Sequence, residues 1–418
     1  MQKYKIARII LLFAVSVQML SCSKTAGDDP AGMDASLALS LLTRNGNGDL
    51  ALTGLGICFP VILFVSAISA LVGMGGGSRA VVRMGEGKLD EANKILGNCT
   101  LLLMILGLAA TVVFQLCKEP MLYLFGATEN TISYSMDYLN IYLYGSIFVE
   151  LALGLNFFIT SQGFSTVGMA SVIIGAVVNI VLDPILIFGL NMGVKGAALA
   201  TITAQAVSAV WVVRFLCGRR TKLRIQRRLL RLDAKVLAPV LALGLSPFIM
   251  QSTESLVNIA FNSSLKTYGG DPAVGAMTIC SSIMQVFSLL FQGLSQGAQP
   301  IVGYNYGAGQ LDRVKRTFRL LFFSSLCFSC AACAALELFP GLFVSLFNDK
   351  PELVEIAVWA LHIYAAGMFM LGVQFSCQQT FVALGQTRVS LFLALLRKVI
   401  LLIPLILLLP RFLSDQVF

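Results

Sequence analysis

The fold of this chain is decided by residues 48–96, which read GDLALTGLGICFPVILFVSAISALVGMGGGSRAVVRMGEGKLDEANKIL. The stretch aligns without a gap on residues 270–318, so that position 48 pairs with position 270. Both copies begin with Gly-Asp at a predicted turn and continue as a long apolar run rich in small residues. Both end in a glycine-broken polar segment, at 85–90 and 307–312. A repeat of this length is a structural unit used twice, and in membrane proteins two such halves commonly flank a central path.

The composition excludes a soluble domain. Hydrophobic residues make up 57% of the 418 residues, charged residues only 12%, and the mean hydropathy is +0.83. A soluble domain of this size needs roughly twice that share of charge to cover its surface. The apolar runs are continuous rather than alternating, which is typical of helices and not of strands. We therefore expect an all-α polytopic membrane protein whose helices contact the lipid bilayer.

The net charge of +9 is concentrated in every second connection between the apolar runs. The basic connections carry Arg79, Arg83, Lys88 and Lys94; then Arg219, Arg220, Lys222, Arg224, Arg227, Arg228, Arg231 and Lys235; and then Arg313, Lys315, Arg316 and Arg319. The intervening connections carry one each: Lys118, Lys195, Lys266 and Lys350. This asymmetry places the basic connections, including the middle loop, in the cytoplasm. It also explains the basic balance without a nucleic-acid partner.

The apolar runs predict ten spans. They lie near residues 51–77, 96–117, 136–160, 169–190, 193–217, 237–265, 273–303, 317–338, 355–380 and 388–412. The basic segment between the fifth and sixth of these is either a plain connecting loop or, from Arg214 to Lys235, a short amphipathic surface helix.

These spans define a domain organisation. We expect an atypical segment at 1–44, an N-terminal lobe at 45–217, a basic cytoplasmic loop at 218–236 and a C-terminal lobe at 237–418. The first segment is interpreted either as a signal-like sequence or as a degraded first span, because it carries charges that cannot cross lipid. The repeat partner of 193–217 falls beyond residue 418, so we expect the last helix of the second lobe to be lost.

Several segments in order along the chain resemble the multidrug and toxic compound extrusion (MATE) family of secondary transporters. They read GLGICFP at 54–60, GMGGG at 73–77, GEGKLDEA at 85–92, NIVLDP at 179–184, GVKGAALAT at 193–201, LSPF at 245–248, QGAQP at 296–300 and NYGAG at 305–309. No single segment is decisive, but their order and spacing over about residues 45–412 make the resemblance specific.

The resemblance implies two six-helix bundles that form a V and open alternately to either side of the membrane. It implies a multidrug exporter of organic cations or other amphiphilic compounds, in antiport with Na⁺ or H⁺ and without a cofactor. Such a protein is no enzyme, and we expect a monomer in the plasma membrane, the inner membrane of a bacterium. This chain departs from the family at the first helix and its aspartate, at the twelfth helix, and at the tenth span, where amides replace an aspartate.

Asp183 is one of three acids that stand out in the middle of predicted spans, and such acids are usually retained to bind ions or protons. Pro184 follows it and frees a backbone carbonyl one turn earlier. Asn179 lies four residues before it on the same helical face. A carboxylate, an amide and a free carbonyl suit a sodium ion, or the carboxyl alone can carry a proton. The alternative is an interfacial aspartate that caps a kink.

Glu254 and Glu150 are the other two acids. Glu254 has Gln251 and Asn258 on its face, and Asn262 extends this polar stripe. The family resemblance also aligns Glu254 with a glutamate of the seventh helix. Either acid can instead be a neutral group in an inter-helix hydrogen bond.

The substrate cavity is expected to be lined by amides, which supply polarity without fixed charge. Besides Gln251, Asn258 and Asn262, these are Gln285, Gln292, Gln374 and Gln378, with Gln296, Gln299 and Gln379 nearby.

Other functions have weaker support. A flippase for lipid-linked precursors needs cations in the central cavity, and Arg397 and Lys398 are the candidates. A truncated, non-transporting remnant is a further alternative. With His362 as the single histidine, neither a catalytic triad nor a metal centre is expected, apart from sodium at Asp183 or Glu254.

Overall fold

The computed structural model describes the backbone of residues 48–345 and 351–406. Within those helices it leaves the side chains of 48–50, 52, 53, 254–256, 258–263, 265–275, 351, 352 and 398 undescribed. The predicted signal-like or degraded segment at 1–44 therefore lies outside the described residues, as does the end of the last predicted span.

The described chain is helical. Its helices are α1 Gly48–Gly85, α2 Leu89–Leu124, α3 Ile132–Tyr144, α4 Ser146–Ser161, α5 Ser165–Pro184, α6 Val194–Cys217, α7 Ala234–Gly307, α8 Leu311–Leu338, α9 Pro340–Val344, α10 Pro351–Ala366, α11 Phe369–Ala383 and α12 Thr387–Leu395. Helix α5 continues as the π-helical turn Ile185–Gly189, and α12 as the π-helical segment Leu396–Leu402.

The ten predicted spans are confirmed within this part of the chain. Eight helical stretches are long and apolar enough to cross a membrane, and two bent helix pairs bring the number to ten. The pairs are α3 with α4, bent by 58°, and α10 with α11, bent by 48°. A membrane favours this architecture because a helix satisfies every backbone hydrogen bond within its own segment.

The twofold repeat is also confirmed, and its register holds well beyond the aligned sequence. Gly87 and Gly309 both adopt left-handed φ angles, of 78° and 72°. Glycine is needed there because a Cβ would clash with the backbone. In the first copy, the Cys58 thiol lies 3.5 Å from the Ser135 carbonyl oxygen. In the second, the Cys280 thiol lies 3.6 Å from the Ala357 oxygen, at the equivalent pair of positions.

The described residues group into two compact units. The first unit comprises residues 48–252 with 307–309, and the second comprises 253–306 with 310–406. Helices α1–α6 and the beginning of α7 belong to the first unit. The predicted lobe boundary between 236 and 237 stays a prediction.

The first unit has two apolar cores. One surrounds Tyr138 and Tyr142, and the other surrounds Leu96 and Phe158. The buried face of α5 carries small and polar residues, with Ser171, Gly175, Asn179 and Asp183 spaced every four residues. That face packs on α6 and positions the candidate site.

Of the two interpretations of the basic segment, the connecting loop is confirmed and the surface helix is wrong; one predicted turn was also wrong. Segment 218–233 is no amphipathic helix: it is irregular apart from the single turn Arg227–Leu229, because side-chain amides of the first unit occupy its backbone N–H groups. A turn was expected at residues 270 and 271, but the backbone is helical throughout α7. A helix can pass the proline at 272 as a kink, at the loss of one hydrogen bond.

Candidate functional site

A buried polar cluster of the first unit lies where α5 ends against α6. Asn179 and Asp183 are both fully buried, at 0% exposure. Their spacing of four residues puts them on one face of α5, as predicted. The Asn179 amide Nδ2 lies 3.5 Å from the Thr201 hydroxyl on α6. The structure thus brings a carboxylate, an amide and a hydroxyl to one region inside a predicted span.

Pro184 interrupts the hydrogen bonding of α5. It has no N–H, so the carbonyl four residues earlier loses its helical donor. Both Ile180 and Pro184 are exposed, however, and do not lie on the buried face of Asn179 and Asp183, so the predicted carbonyl ligand is not part of the buried set. The chain then continues as a π-helical turn rather than as a regular helix, with Leu190 N donating to the Ile185 oxygen at 2.9 Å. Carboxylate, amide and hydroxyl oxygens are donors that a hard cation such as sodium prefers, so Asp183, Asn179 and Thr201 fit the predicted ion.

The sequence analysis missed Thr201 and the polar face of α6 that begins at this residue. Thr201, Gln205 and Ser208 are all buried and follow at helical spacing. Ser208 donates to the Ser171 carbonyl at 2.8 Å, and a small cavity beside this pair is lined by Gln205 and Gly175. The spacing of these residues was visible in the sequence, but only the packing of α5 on α6 makes them one polar seam.

Glu150 occupies a separate position in the first unit. Its side chain is fully buried in α4, and Ser69 of α1 donates to its Oε2 at 2.8 Å. Its Oε1 has no hydrogen-bond partner among the described residues. Glu150 therefore hydrogen-bonds to Ser69 rather than to Asn179 or Asp183.

The stripe around Glu254 is only partly described. The side chains of Glu254, Asn258 and Asn262 lie outside the described residues, so their predicted roles stay predictions. Gln251, on the same helix, is half-buried, and its Oε1 has no partner within the described part of the chain. An unpaired amide oxygen of this kind is available to a ligand.

The amides of the second unit have different surroundings. Gln285 is exposed and Gln292 is half-buried. Gln378 is buried, and its Nε2 lies 2.7 Å from the Ser390 hydroxyl. The Gln374 side chain accepts a hydrogen bond from the Arg397 guanidinium. Gln374 and Gln378 are thus tied to α12 and its π-helical extension, and their predicted role as cavity lining stays a prediction.

The flippase alternative depended on Arg397 and Lys398. Arg397 is engaged with Gln374, and the Lys398 side chain lies outside the described residues. A guanidinium already bound to an amide is a weaker candidate for a pyrophosphate ligand.

Within the described residues, up to ten apolar spans, a twofold repeat and buried acids within spans define the class: a multi-pass helical membrane transporter. A sequence profile of the MatE family matches residues 35–185 and 247–408. The chain belongs to the MatE family.

Two relatives of similar sequence are multidrug export proteins by name. The chain is 25% identical over 345 residues to the multidrug export protein MepA of Staphylococcus haemolyticus, with 82% of this chain and 76% of the relative covered. It is 24% identical over 351 residues to MepA of Staphylococcus aureus strain NCTC 8325, with 83% and 76% covered.

Solved structures of the family share the fold. The MATE multidrug transporter DinF-BH, solved in complex with rhodamine 6G, is 35% identical, with a TM-score of 0.85, and the match covers 94% of this chain and 88% of that one. A crystal structure of MATE in the bent conformation is 22% identical, with a TM-score of 0.86, and the match covers 94% and 86%. The predicted family and the all-helical fold are confirmed.

Proposed function

We propose that this protein exports amphiphilic, chiefly cationic small molecules from the cytoplasm, in antiport with Na⁺ or H⁺ bound at Asp183. The observation that carries the proposal is the buried set of Asp183, Asn179 and Thr201 at the kinked end of α5. A buried carboxylate is costly within a membrane and is retained where it binds an ion or a proton. The protein acts as a monomer in the plasma membrane, with its middle basic loop in the cytoplasm.

The substrate class rests on the relatives. MepA is a multidrug export protein by name, and DinF-BH binds rhodamine 6G. Export by this chain needs no covalent chemistry and no cofactor. It needs only that the affinity of the substrate site changes when the ion site is occupied, and the reverse. If the coupling ion binds the Asp183 carboxylate, its release must accompany substrate movement.

The experiment is rhodamine 6G transport by the purified protein in liposomes, with a proton gradient or a sodium gradient imposed separately. We expect one of the two gradients to drive uptake. Asp183→Asn keeps the shape of the side chain but removes the charge, and should lower driven transport roughly a hundredfold, which corresponds to about 2.7 kcal/mol. The control is Asp137→Asn, a partly exposed acid that lies 3.3 Å from Lys195 in the same unit.

The outcomes separate the parts of the proposal. If neither gradient drives rhodamine 6G or a second cationic dye through folded wild-type protein, the export function is wrong. If Asp183→Asn transports like the wild type, export stands, but the coupling ion binds elsewhere. Thermal unfolding of both variants shows whether a loss reflects chemistry or folding.

A further inference from the structure

The connection between α6 and α7, residues 218–233, is fastened along the end of the first unit. We call it the strap. It carries seven basic residues and one acid, Asp233. It also lies between the two segments, 35–185 and 247–408, that the MatE profile matches.

Three side-chain amides of the first unit hold the strap by its backbone. Gln162 Oε1 accepts hydrogen bonds from the Lys222 and Leu223 N–H groups at 3.0 and 2.8 Å. Asn93 Oδ1 accepts from Arg224 N at 2.8 Å, and Asn98 Oδ1 accepts from Asp233 N at 2.7 Å. These bonds order the strap on folding, so a ligand that binds it does not have to order it again.

Close packing adds to these bonds. A Cβ on Gly97 of α2 would come within 2.5 Å of the Leu229 carbonyl oxygen, so only a glycine lets the strap lie this near. Leu223 is fully buried in the core cluster that includes Val212 and Leu216. The strap therefore has an inner face that belongs to the first unit.

The outer face of the strap is cationic. All seven basic side chains are exposed: Arg219, Arg220, Lys222, Arg224, Arg227, Arg228 and Arg231. Within the described part of the chain none of them forms a salt bridge with a carboxylate. A cluster of cations this dense repels itself unless an anion lies against it.

The neighbouring apolar side chains place this face at the membrane surface. Trp211, three residues before Arg214 near the end of α6, is 40% exposed, and Val210 is 65% exposed. Leu232, at the other end of the strap, is 52% exposed. Exposed tryptophan near the end of a span is typical of the headgroup level of a bilayer. The strap thus lies where α6 leaves the hydrocarbon.

We propose that the strap is a preformed docking surface for the headgroups of anionic phospholipids in the leaflet that it faces. Basic side chains directly next to a span attract the headgroups of such lipids. A loop that only directs membrane insertion needs its charges but no fastening, because orientation follows from the number of Lys and Arg. The amides of Gln162, Asn93 and Asn98 hold the charges at fixed positions, which favours stoichiometric binding over a diffuse attraction.

The test is the binding of phosphatidylglycerol to the full-length protein in detergent, followed by native mass spectrometry and by thermal unfolding. Phosphatidylcholine serves as the neutral lipid and inorganic phosphate as the free anion. We expect phosphatidylglycerol, but neither of the other two, to bind and to raise the unfolding temperature. An equal response to inorganic phosphate would overturn the proposal of a lipid surface.

A matched pair of variants locates the binding. The combined change Arg219→Gln, Arg220→Gln, Arg227→Gln and Arg228→Gln removes four exposed charges from the strap. The change Arg313→Gln, Lys315→Gln, Arg316→Gln and Arg319→Gln removes four charges at the start of α8. The first should weaken phosphatidylglycerol binding on the order of tenfold or more, and the second should leave most of it. Equal losses would show a general charge effect and no specific surface.

A further variant tests the fastening itself. Gln162→Leu removes one of the three amide acceptors of the strap but no charge. We expect this variant to bind phosphatidylglycerol more weakly, with fewer lipid molecules bound per protein. If binding is unchanged, the positions of the charges are irrelevant and the preformed surface is wrong. Should the fourfold variant fail to fold, the pairs Arg219 with Arg220 and Arg227 with Arg228 are exchanged separately, each for about half the effect.

Discussion

The two copies of the repeat keep the same helical frame and fill it with different side chains. In the first copy, Thr111 of α2 donates to the Leu143 oxygen at 2.8 Å; in the second, the Cys333 thiol lies 3.4 Å from the equivalent Ala365 oxygen. In both contacts the acceptor is a backbone carbonyl oxygen, so the contact is kept although the donor changes from threonine to cysteine. The arrangement of the helices depends on such contacts to the backbone, whereas the polarity of the buried side chains does not.

The positions of Glu150 and Ser69 show the difference best. Their equivalents in the second copy are Gly372 and Phe291. Phe291 is fully buried, and its ring stacks on Phe375 with centroids 6.0 Å apart. The first copy thus contains a hydrogen-bonded acid where the second contains an aromatic core. The same fold thus holds a buried acid at this position in one unit and a stacked aromatic ring in the other.

The largest effect is expected at Phe291. Phe291→Ala removes a ring that contacts both Phe375 and Phe328, and should lower the free energy of unfolding by about 3–5 kcal/mol. Thermal unfolding in detergent measures it. The control is Phe323→Ala, since Phe323 is 57% exposed. Similar losses for the two variants would contradict an aromatic core at this position.

The next effect tests the polar pair at the equivalent place in the first unit. Ser69→Ala leaves the buried Glu150 carboxyl without its hydroxyl donor and should cost about 1–3 kcal/mol. Adding Glu150→Leu removes the orphaned group, so the double variant should recover much of that loss and resemble the second unit. A double-mutant cycle in unfolding experiments measures this coupling. Additive losses would mean that the two side chains do not interact.

A smaller and symmetric effect is expected at the left-handed glycines. Gly87→Ala and Gly309→Ala each force a Cβ into a positive-φ conformation, at a cost of about 1–2 kcal/mol. Gly56→Ala is the control, because a Cβ there meets no atom within 4 Å and the helix gains from alanine. Unequal losses of unfolding free energy for the two substitutions would contradict the structural equivalence of the turns at Gly87 and Gly309.

The smallest effect concerns pH. Lys88 and then Arg83 hold the pKa of Glu86 below its ordinary value of 4.5, through contacts of 3.0 and 2.7 Å. Because the folded-state pKa is depressed, the contribution of this cluster is complete above about pH 4.5 and is lost as the pH falls through the lower folded value. Hydrogen exchange of the turn, compared with Glu86→Gln, should show a difference near neutral pH that vanishes in acid. The second copy of the repeat has Ala308 at this position and serves as an internal control.

Much of the molecule could be predicted from the chain alone. The hydropathy of each run predicted the ten spans, because a helix that crosses lipid needs about 20 apolar residues wherever it packs. The constant offset between the two copies predicted the repeat, and the glycines at 87 and 309 marked equivalent turns. Asn179 and Asp183 could be paired because helical periodicity is a local property.

Other features depended on contacts between distant parts of the chain. Nothing in the sequence near Asn179 indicates that Thr201 lies beside it, since that contact requires α6 to pack on the small-residue face of α5. The strap was expected as a plain loop or a surface helix, and its fastened path follows from acceptors at Gln162, Asn93 and Asn98, far earlier in the chain.

The sequence by itself determined the class of protein, the places of the spans in the described residues and the register of the repeat, since each follows from periodicity and composition within single segments. Only the tertiary structure decided which buried polar groups meet, because hydrogen bonds between helices depend on how their faces pack. Glu150 illustrates both: its place within a span was visible in the sequence, but its bond to Ser69 exists only because α1 and α4 pack together.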